Sequence, residues 1–252
     1  MGKTKIGVQL YSARHDLSND MPGTIKKLAA IGYEAVEFFG QAAYTADEIN
    51  AVLKANKLEI CGWHTPWNFV QEGFLNVWIA YTKAIGNKYV VVPGLPGELT
   101  GTIESWKETA EKFNAISEKL TKEGLLLGYH NHHAEFMPLN VPGVLPWDAF
   151  LEKCNPEIIA QYDIGNSLHG TKINAMEYHK KYIGRSVTVH AKAHSATKEN
   201  AAIGEDDIDW AEYVSEIKKA GVTDYIIVEY EHKGDGLFDK LAVCYNTLKK
   251  YL

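Results

Sequence analysis

Short apolar runs of strand character alternate along the chain with stretches whose apolar positions recur at helical spacing. The strand-like runs are Ile6–Tyr11, Ala35–Phe39, Leu58–Trp63, Tyr89–Val92, Leu125–Tyr129, Ile159–Asp163, Val187–Ala191 and Tyr225–Glu229. Each is about as long as a buried parallel strand. The helical stretches between them are Pro22–Ala30, Ala46–Asn56, Gly73–Ala84, Thr102–Lys122, Pro146–Cys154, Asn174–Tyr182, Trp210–Ala220 and Gly236–Leu252. In the last of these, Leu237, Leu241, Cys244 and Leu248 follow an i, i+4, i+7, i+11 pattern, so one face packs on a sheet while the lysines face water. Ile31-Gly32, Ile85-Gly86, Glu123-Gly124 and Ala220-Gly221 supply glycine where a helix ends and a strand is about to begin.

Repeated strand-then-helix units in a chain of 252 residues predict a closed (β/α)8 TIM barrel, with a doubly wound open sheet as the alternative. No G-x-G-x-x-G follows the first strand and no Walker sequence occurs, so the usual nucleotide-binding reason for an open sheet is missing. With no linker or shift of composition, residues 1–252 read as one α/β domain. The longest loops, Phe136–Leu145 and His194–Asp207, follow strands and belong to the face where barrels build their sites.

Composition narrows the partners. Twenty-six Lys and Arg against 32 Asp and Glu leave a net charge of −6, which repels a phosphate backbone and argues against nucleic-acid binding. Cys61, Cys154 and Cys244 are isolated, which speaks against a disulfide framework or a thiolate zinc site and for a reducing, cytoplasmic setting. Met1-Gly2 leads into the first strand without an apolar signal region or a myristoylation pattern, and no apolar window is long enough to span a bilayer; no membrane association is expected.

Polar residues, histidines and carboxylates foremost, gather where the late strands end: His130, Asn131, His132, His133 and Glu135 after the fifth, Asp163 and Asn166 after the sixth, His190, Lys192 and His194 on the seventh, Glu229 and Glu231 on the eighth. Each has a structural explanation alone. Asp163 suits a helix cap, His190 a hydrogen-bonded core position, and Glu229 an ion pair with Lys192. Together, at successive strand ends, they point to a cation that offsets the desolvation of buried carboxylates and imidazoles. His64, Trp63, Trp67 and Asn166 are candidates for substrate contact, and Trp63, Trp67 and Phe136 for an apolar face on which a substrate packs; packing roles are the alternative. Glu37 either reaches the mouth or pairs internally. His15, His179 and His232 read as surface residues.

Gly7-Val-Gln-Leu-Tyr-Ser12, Ile31-Gly-Tyr-Glu-Ala-Val-Glu37, His130-Asn-His-His-Ala-Glu-Phe136, Tyr162-Asp-Ile-Gly-Asn166, Val189-His-Ala-Lys192 and Val228-Glu229 together resemble the sugar phosphate isomerase/epimerase superfamily with its xylose isomerase-like barrel. The resemblance implies a divalent metal held by Glu, Asp, His and Glu from four late strands. Asp163, His190 and Glu229 match three of these positions. At the fifth strand, where ketose 3-epimerases have glutamate, this chain has His130, and Glu135 in the following loop is taken as the first ligand, with His130 or His132 as base or alternative ligand. Three oxygens and one imidazole favour Mn²⁺ or Mg²⁺, with Co²⁺ or Zn²⁺ also possible donors' partners.

The expected activity is isomerisation or epimerisation of a keto-sugar or sugar derivative, by proton abstraction beside a carbonyl through a metal-stabilised enediolate. His130, His132 and Glu229 are the acid/base candidates, and Lys192 neutralises oxyanion charge. The alternatives are metal-assisted elimination from a 3-keto-glycoside and a sugar-binding barrel without catalysis. A DNA-repair enzyme on the same barrel would need a basic groove, which the net charge opposes. The expected partner is a small-molecule sugar, with homo-oligomerisation left open.

Overall fold

The computed structural model describes residues 4–231 and 235–252, so Met1-Gly2 and His232 lie outside the described residues. Eight parallel strands, Lys5–Gln9 (β1), Ala35–Phe39 (β2), Glu59–His64 (β3), Tyr89–Val92 (β4), Leu126–His130 (β5), Ile159–Gln161 (β6), Thr188–Lys192 (β7) and Tyr225–Glu229 (β8), run round a cylinder in chain order, with β8 returning beside β1. The expected TIM barrel is therefore the observed fold. Full ladders join every neighbouring pair except β6 and β7, which meet at a single bridge between Asp163 and His190.

The helices are Arg14–Asn19 (α1), Met21–Ile31 (α2), Ala46–Asn56 (α3), Leu75–Ala84 (α4), Ile103–Lys122 (α5), Pro146–Leu151 (α6), Ile164–Leu168 (α7), Ala175–Tyr182 (α8), Trp210–Ala220 (α9) and Leu237–Lys249 (α10). Their starts are written in side chains: Thr45 and Thr102 form capping boxes with Glu48 and Ser105, and Asn174 and Asp209 cap α8 and α9. Gly32 and Gly221 close α2 and α9 in the left-handed conformation. The short helices α1 and α7 interrupt stretches that show no helical periodicity in the sequence. Among the described residues no helix is long and apolar enough to cross a membrane.

Strand alternation divides the core in two. Outward residues such as Ile6, Val8, Val36, Trp63, Val90, Val92, Leu127 and Val228 pack under the helices in the main apolar cluster. Inward residues form separate small clusters, Ala35, Cys61 and Ile227 on one side and Tyr89, Val91 and Ile159 on the other. A Cβ at Gly7 would stand 2.8 Å from Cys61 Sγ, so the interior is already full at this level. One step further toward the carboxyl ends, the inward positions turn polar: Gln9, Glu37, His64, His130, Gln161, Thr188 and His190 are all buried. The apolar plug thus ends where the candidate site begins.

His179 departs from its expected surface position. It lies on the same stripe of α8 as Ala175 and Tyr182, at i+4 and i−3, and is buried with its ring 4.3 Å from that of Tyr213.

Candidate metal centre at the barrel mouth

Ligand atoms of His130, Asp163, His190 and Glu229 lie within 4.8 Å of one another, one residue from each of the last four strand ends. All four side chains are buried. Asp163 owes its place to the end of β6: its N–H donates to Asn131 Oδ1 at 2.8 Å instead of continuing the ladder, and its Oδ1 accepts the Asn166 N–H as the cap of α7. The capping role and a ligand role are therefore compatible, because one carboxylate oxygen caps while the other faces the cluster. α7 itself sits close to β7, since a side chain at Gly165 would collide with the Lys192 carbonyl.

Two atoms of the cluster are conspicuous. Asp163 Oδ2 and His190 Nδ1 are fully buried and make no hydrogen bond. Their mutual distance is 3.8 Å, and His190 Nδ1 is 3.1 Å from Glu229 Oε2 without hydrogen-bond alignment. Buried polar atoms are normally partnered, so this vacancy in the hydrogen-bond inventory is what a cation would fill. The donor chemistry, two imidazoles and two carboxylates, fits a divalent metal.

The electrostatics agree. Burial pushes the Asp163 carboxyl above its usual range, which marks an anion in need of compensation. Glu229 is held well below the carboxylate range: burial opposes ionisation, and Lys192 and His190 outweigh it. Burial also pulls on His190, yet Glu37 and Glu229 carry it up to about 10, so without a cation its Nδ1 holds a proton toward Glu229, and a cation bound there would take that proton's place. His130 goes the other way, pushed well below the ordinary imidazole value by burial and by its histidine neighbours, and is neutral.

A cavity of about 590 Å³ opens directly over this cluster, lined by His64, His130, His132 and Glu229 and by the aromatic side chains of Tyr11, Phe39 and Trp67. A second cavity of about 320 Å³ lies under the loop after β7 and shares Glu229 and Glu231 with the first. Lys192 bridges Glu229, at 3.1 Å, and Glu231.

The sequence-based candidates separate accordingly. Asp163, His190 and Glu229 converge, and His130 joins them. Glu135 does not: its buried carboxylate accepts from Tyr129 Oη at 2.6 Å and from the His132 N–H at 2.8 Å, which folds the loop after β5 back on the strand. His132 is exposed and lines the cavity, as do His64 and Trp67. Trp63 points outward, stacks on Phe38 and donates its indole N–H to the Gly40 carbonyl, because it is out of phase with His64 on β3. Phe136 is likewise packed, against Trp147 and Tyr178. Asn166 is buried beside the cluster, its amide donating to the Asn131 carbonyl at 3.1 Å. Glu37 pairs internally, 2.7 Å from His190 Nε2. Tyr11 and Phe39 were missed as cavity residues, although both follow or end a strand at the barrel mouth.

The family model of the xylose isomerase-like TIM barrel matches residues 25–247, and the chain belongs to that family. No curated protein matches the sequence. Among solved structures, a sugar phosphate isomerase/epimerase from Parabacteroides distasonis superposes with a TM-score of 0.83 at 21% identity, covering 100% of this chain and 96% of that one. An L-ribulose 3-epimerase gives 0.73 at 15% identity over 99% and 96% of the two chains. A D-psicose 3-epimerase from Clostridium cellulolyticum, solved with D-tagatose, gives 0.70 at 11% identity over 98% and 99%. At these identities the likeness is one of fold.

Proposed function

We propose that the protein is a divalent-metal-dependent sugar isomerase or epimerase acting on a keto-sugar or sugar derivative. The observation that carries this reading is the buried convergence of His130, Asp163, His190 and Glu229, with two of their atoms left without partners, beneath a cavity of sugar-accommodating size. The epimerase and isomerase names of proteins that share the fold are consistent with it. With His130 in the set and Glu135 engaged elsewhere, two nitrogens and two oxygens move the preference away from Mg²⁺ and toward Mn²⁺, Co²⁺ or Zn²⁺.

Bound there, the cation supplies Lewis-acid polarisation of a substrate carbonyl. The chain supplies the rest. Trp67, Phe39 and Tyr11 offer apolar faces for the sugar ring. His132 and Glu229 line the cavity and are the groups that take a proton from one carbon and return it, Glu229 doubling as a ligand, while His130 is assigned to the ligand group alone. Lys192 stays charged and stabilises oxyanion character beside Glu229. The test is deuterium incorporation at carbon when keto-sugars are incubated with protein and Mn²⁺ in D₂O. Wild-type protein exchanges, and Glu229→Gln loses at least about 100-fold of the rate. A broad panel without exchange, or an unaffected variant, refutes the assignment.

The second cavity favours one further reading. Its junction with the first at Glu229 and Glu231 gives room for a substituent attached to the reacting ring, as in a 3-keto-glycoside that loses its aglycone after proton removal. Aglycone release when a 3-keto-glycoside is included in the D₂O incubation distinguishes this outcome from epimerisation.

A further inference from the structure

Below the cluster lies a layer of buried polar side chains. Glu37 is fully buried. Its carboxylate accepts from Gln9 Nε2 at 2.8 Å, from Gln161 Nε2 at 2.9 Å and from His190 Nε2 at 2.7 Å, and stands 3.1 Å from His64 Nε2. Gln161, also fully buried, donates from the same nitrogen to Thr188 Oγ1 at 3.0 Å, while its Oε1 lies 2.8 Å from His64 Nε2 and 3.2 Å from His130 Nδ1. A side chain at Gly62 would collide with Glu37 Oε1, so the neighbouring strand is cut back to admit this carboxylate.

The donor and acceptor roles in this layer follow by elimination. An ionised carboxylate only accepts, and the histidines around Glu37 hold it ionised against the effect of burial. The Gln161 amide must therefore turn its NH₂ toward Glu37, because the flipped amide would set oxygen against oxygen. Its carbonyl oxygen then faces both His64 and His130, and each imidazole must present an N–H to it. For His130 the proton sits on Nδ1, which leaves the Nε2 lone pair for the cluster; the Asn166 amide nitrogen, 3.4 Å from Nε2, agrees with an acceptor there. By the same rule His190 carries its proton on Nε2 toward Glu37, which leaves Nδ1, the buried atom without a partner.

We infer that Glu37 and Gln161 are positioning residues that fix the two histidine ligands in opposite tautomers, His190 presenting Nδ1 and His130 presenting Nε2 to the cation. The inference rests on the metal-centre reading above and extends it one layer inward. Outer partners of this kind commonly change metal affinity by 10- to 100-fold when removed. Glu37 on β2 reaches across the axis to the His190 imidazole of β7, while Gln161 stands beside His130 on the paired strand β5 and reaches across the axis to His64 of β3.

The test combines calorimetric Mn²⁺ titration with long-range ¹H–¹⁵N spectra of the Zn²⁺-loaded protein labelled at histidine nitrogen. Wild-type protein shows His190 coordinated through Nδ1 and His130 through Nε2, with the opposite nitrogens protonated. Gln161→Met and Glu37→Gln each bind Mn²⁺ about 10- to 100-fold more weakly. Spectra of the wild-type protein alone decide the tautomers if either variant fails to fold. Reversed nitrogens, or unchanged Mn²⁺ affinity in folded Gln161→Met, overturn the inference while leaving the metal centre intact. Failure of the wild-type protein to bind either ion overturns both.

Discussion

Lys192 and Glu229 occupy paired positions on β7 and β8, and Lys192 Nζ lies 3.1 Å from Glu229 Oε1. Burial works against the ammonium charge, but Glu229, Asp163 and Glu231 outweigh it and raise its pKa above the ordinary lysine value. The lysine would therefore compete with a bound cation for the same carboxylate. Lys192→Met is expected to bind Mn²⁺ at least as tightly as wild type while its carbon-exchange rate falls by about 100-fold or more. Calorimetry beside the D₂O assay checks this, and weaker Mn²⁺ binding would contradict it.

A cation that binds only the folded state stabilises it. At a concentration about 100 times Kd the gain is about 2.7 kcal/mol, which for a chain of this size raises Tm by about 5–10 °C. Chelator-stripped protein is expected to show that rise on adding Mn²⁺, and Asp163→Asn to show little of it. Equal shifts in both proteins would place the ion elsewhere.

Glu135 separates the sequence-based ligand set from the one the geometry favours. Its carboxylate is fully engaged with Tyr129 Oη and the His132 N–H. Glu135→Leu is expected to lower stability by about 1–3 kcal/mol, because it leaves a buried hydroxyl unpartnered. Mn²⁺ affinity should change by less than about threefold, under 1 kcal/mol. A loss of tenfold or more would return Glu135 to the ligand set.

The pH dependence of folding has an identifiable contributor outside the site. Burial holds His179 down to about 4, against 6.5 for the free side chain. Above 6.5 the residue is neutral in both states and contributes no slope. As pH falls from there toward 4, the unfolded chain takes up a proton that the folded one refuses, and stability declines by up to about 3 kcal/mol. His179→Phe keeps the stack on Tyr213 and should flatten the decline measured by urea denaturation between pH 7 and 4.5. Parallel profiles would show that another group controls it.

The barrel was legible because its signals are periodic. β2, β4 and β8 begin and end where the apolar runs do, and α3 and α9 match their predicted spans. β6 is shorter than expected because Asp163 leaves the ladder to cap α7, a choice that Asp permits at a strand end and the apolar run does not reveal. Asp163, His190 and Glu229 were legible as a set because charged and imidazole groups at strand ends call for compensation. His130 and Glu135 were not separable, since one ends β5 and the other follows it closely, and the Tyr129–Glu135 hydrogen bond that favours His130 is visible only in the fold. Gln161 carried no signal: a neutral amide inside an apolar run reads as strand, and its role appears only when β2, β5 and β7 surround it. His179 was misplaced because a histidine among lysines resembles a solvated face until the helix phase is counted.

Where the cylinder closes, β6 and β7 are joined by the Asp163–His190 bridge and by the His190 N–H on the Tyr162 carbonyl, rather than by a full ladder. The same two side chains supply half of the candidate ligands, so an ion bound there would also be a clasp on the weakest stave of the wall. Stripped protein should then exchange its amide hydrogens faster along β6 and β7 than along the fully paired β2 and β3, and reloading should quench that difference. Occupancy would in this way be read out by the backbone as well as by chemistry.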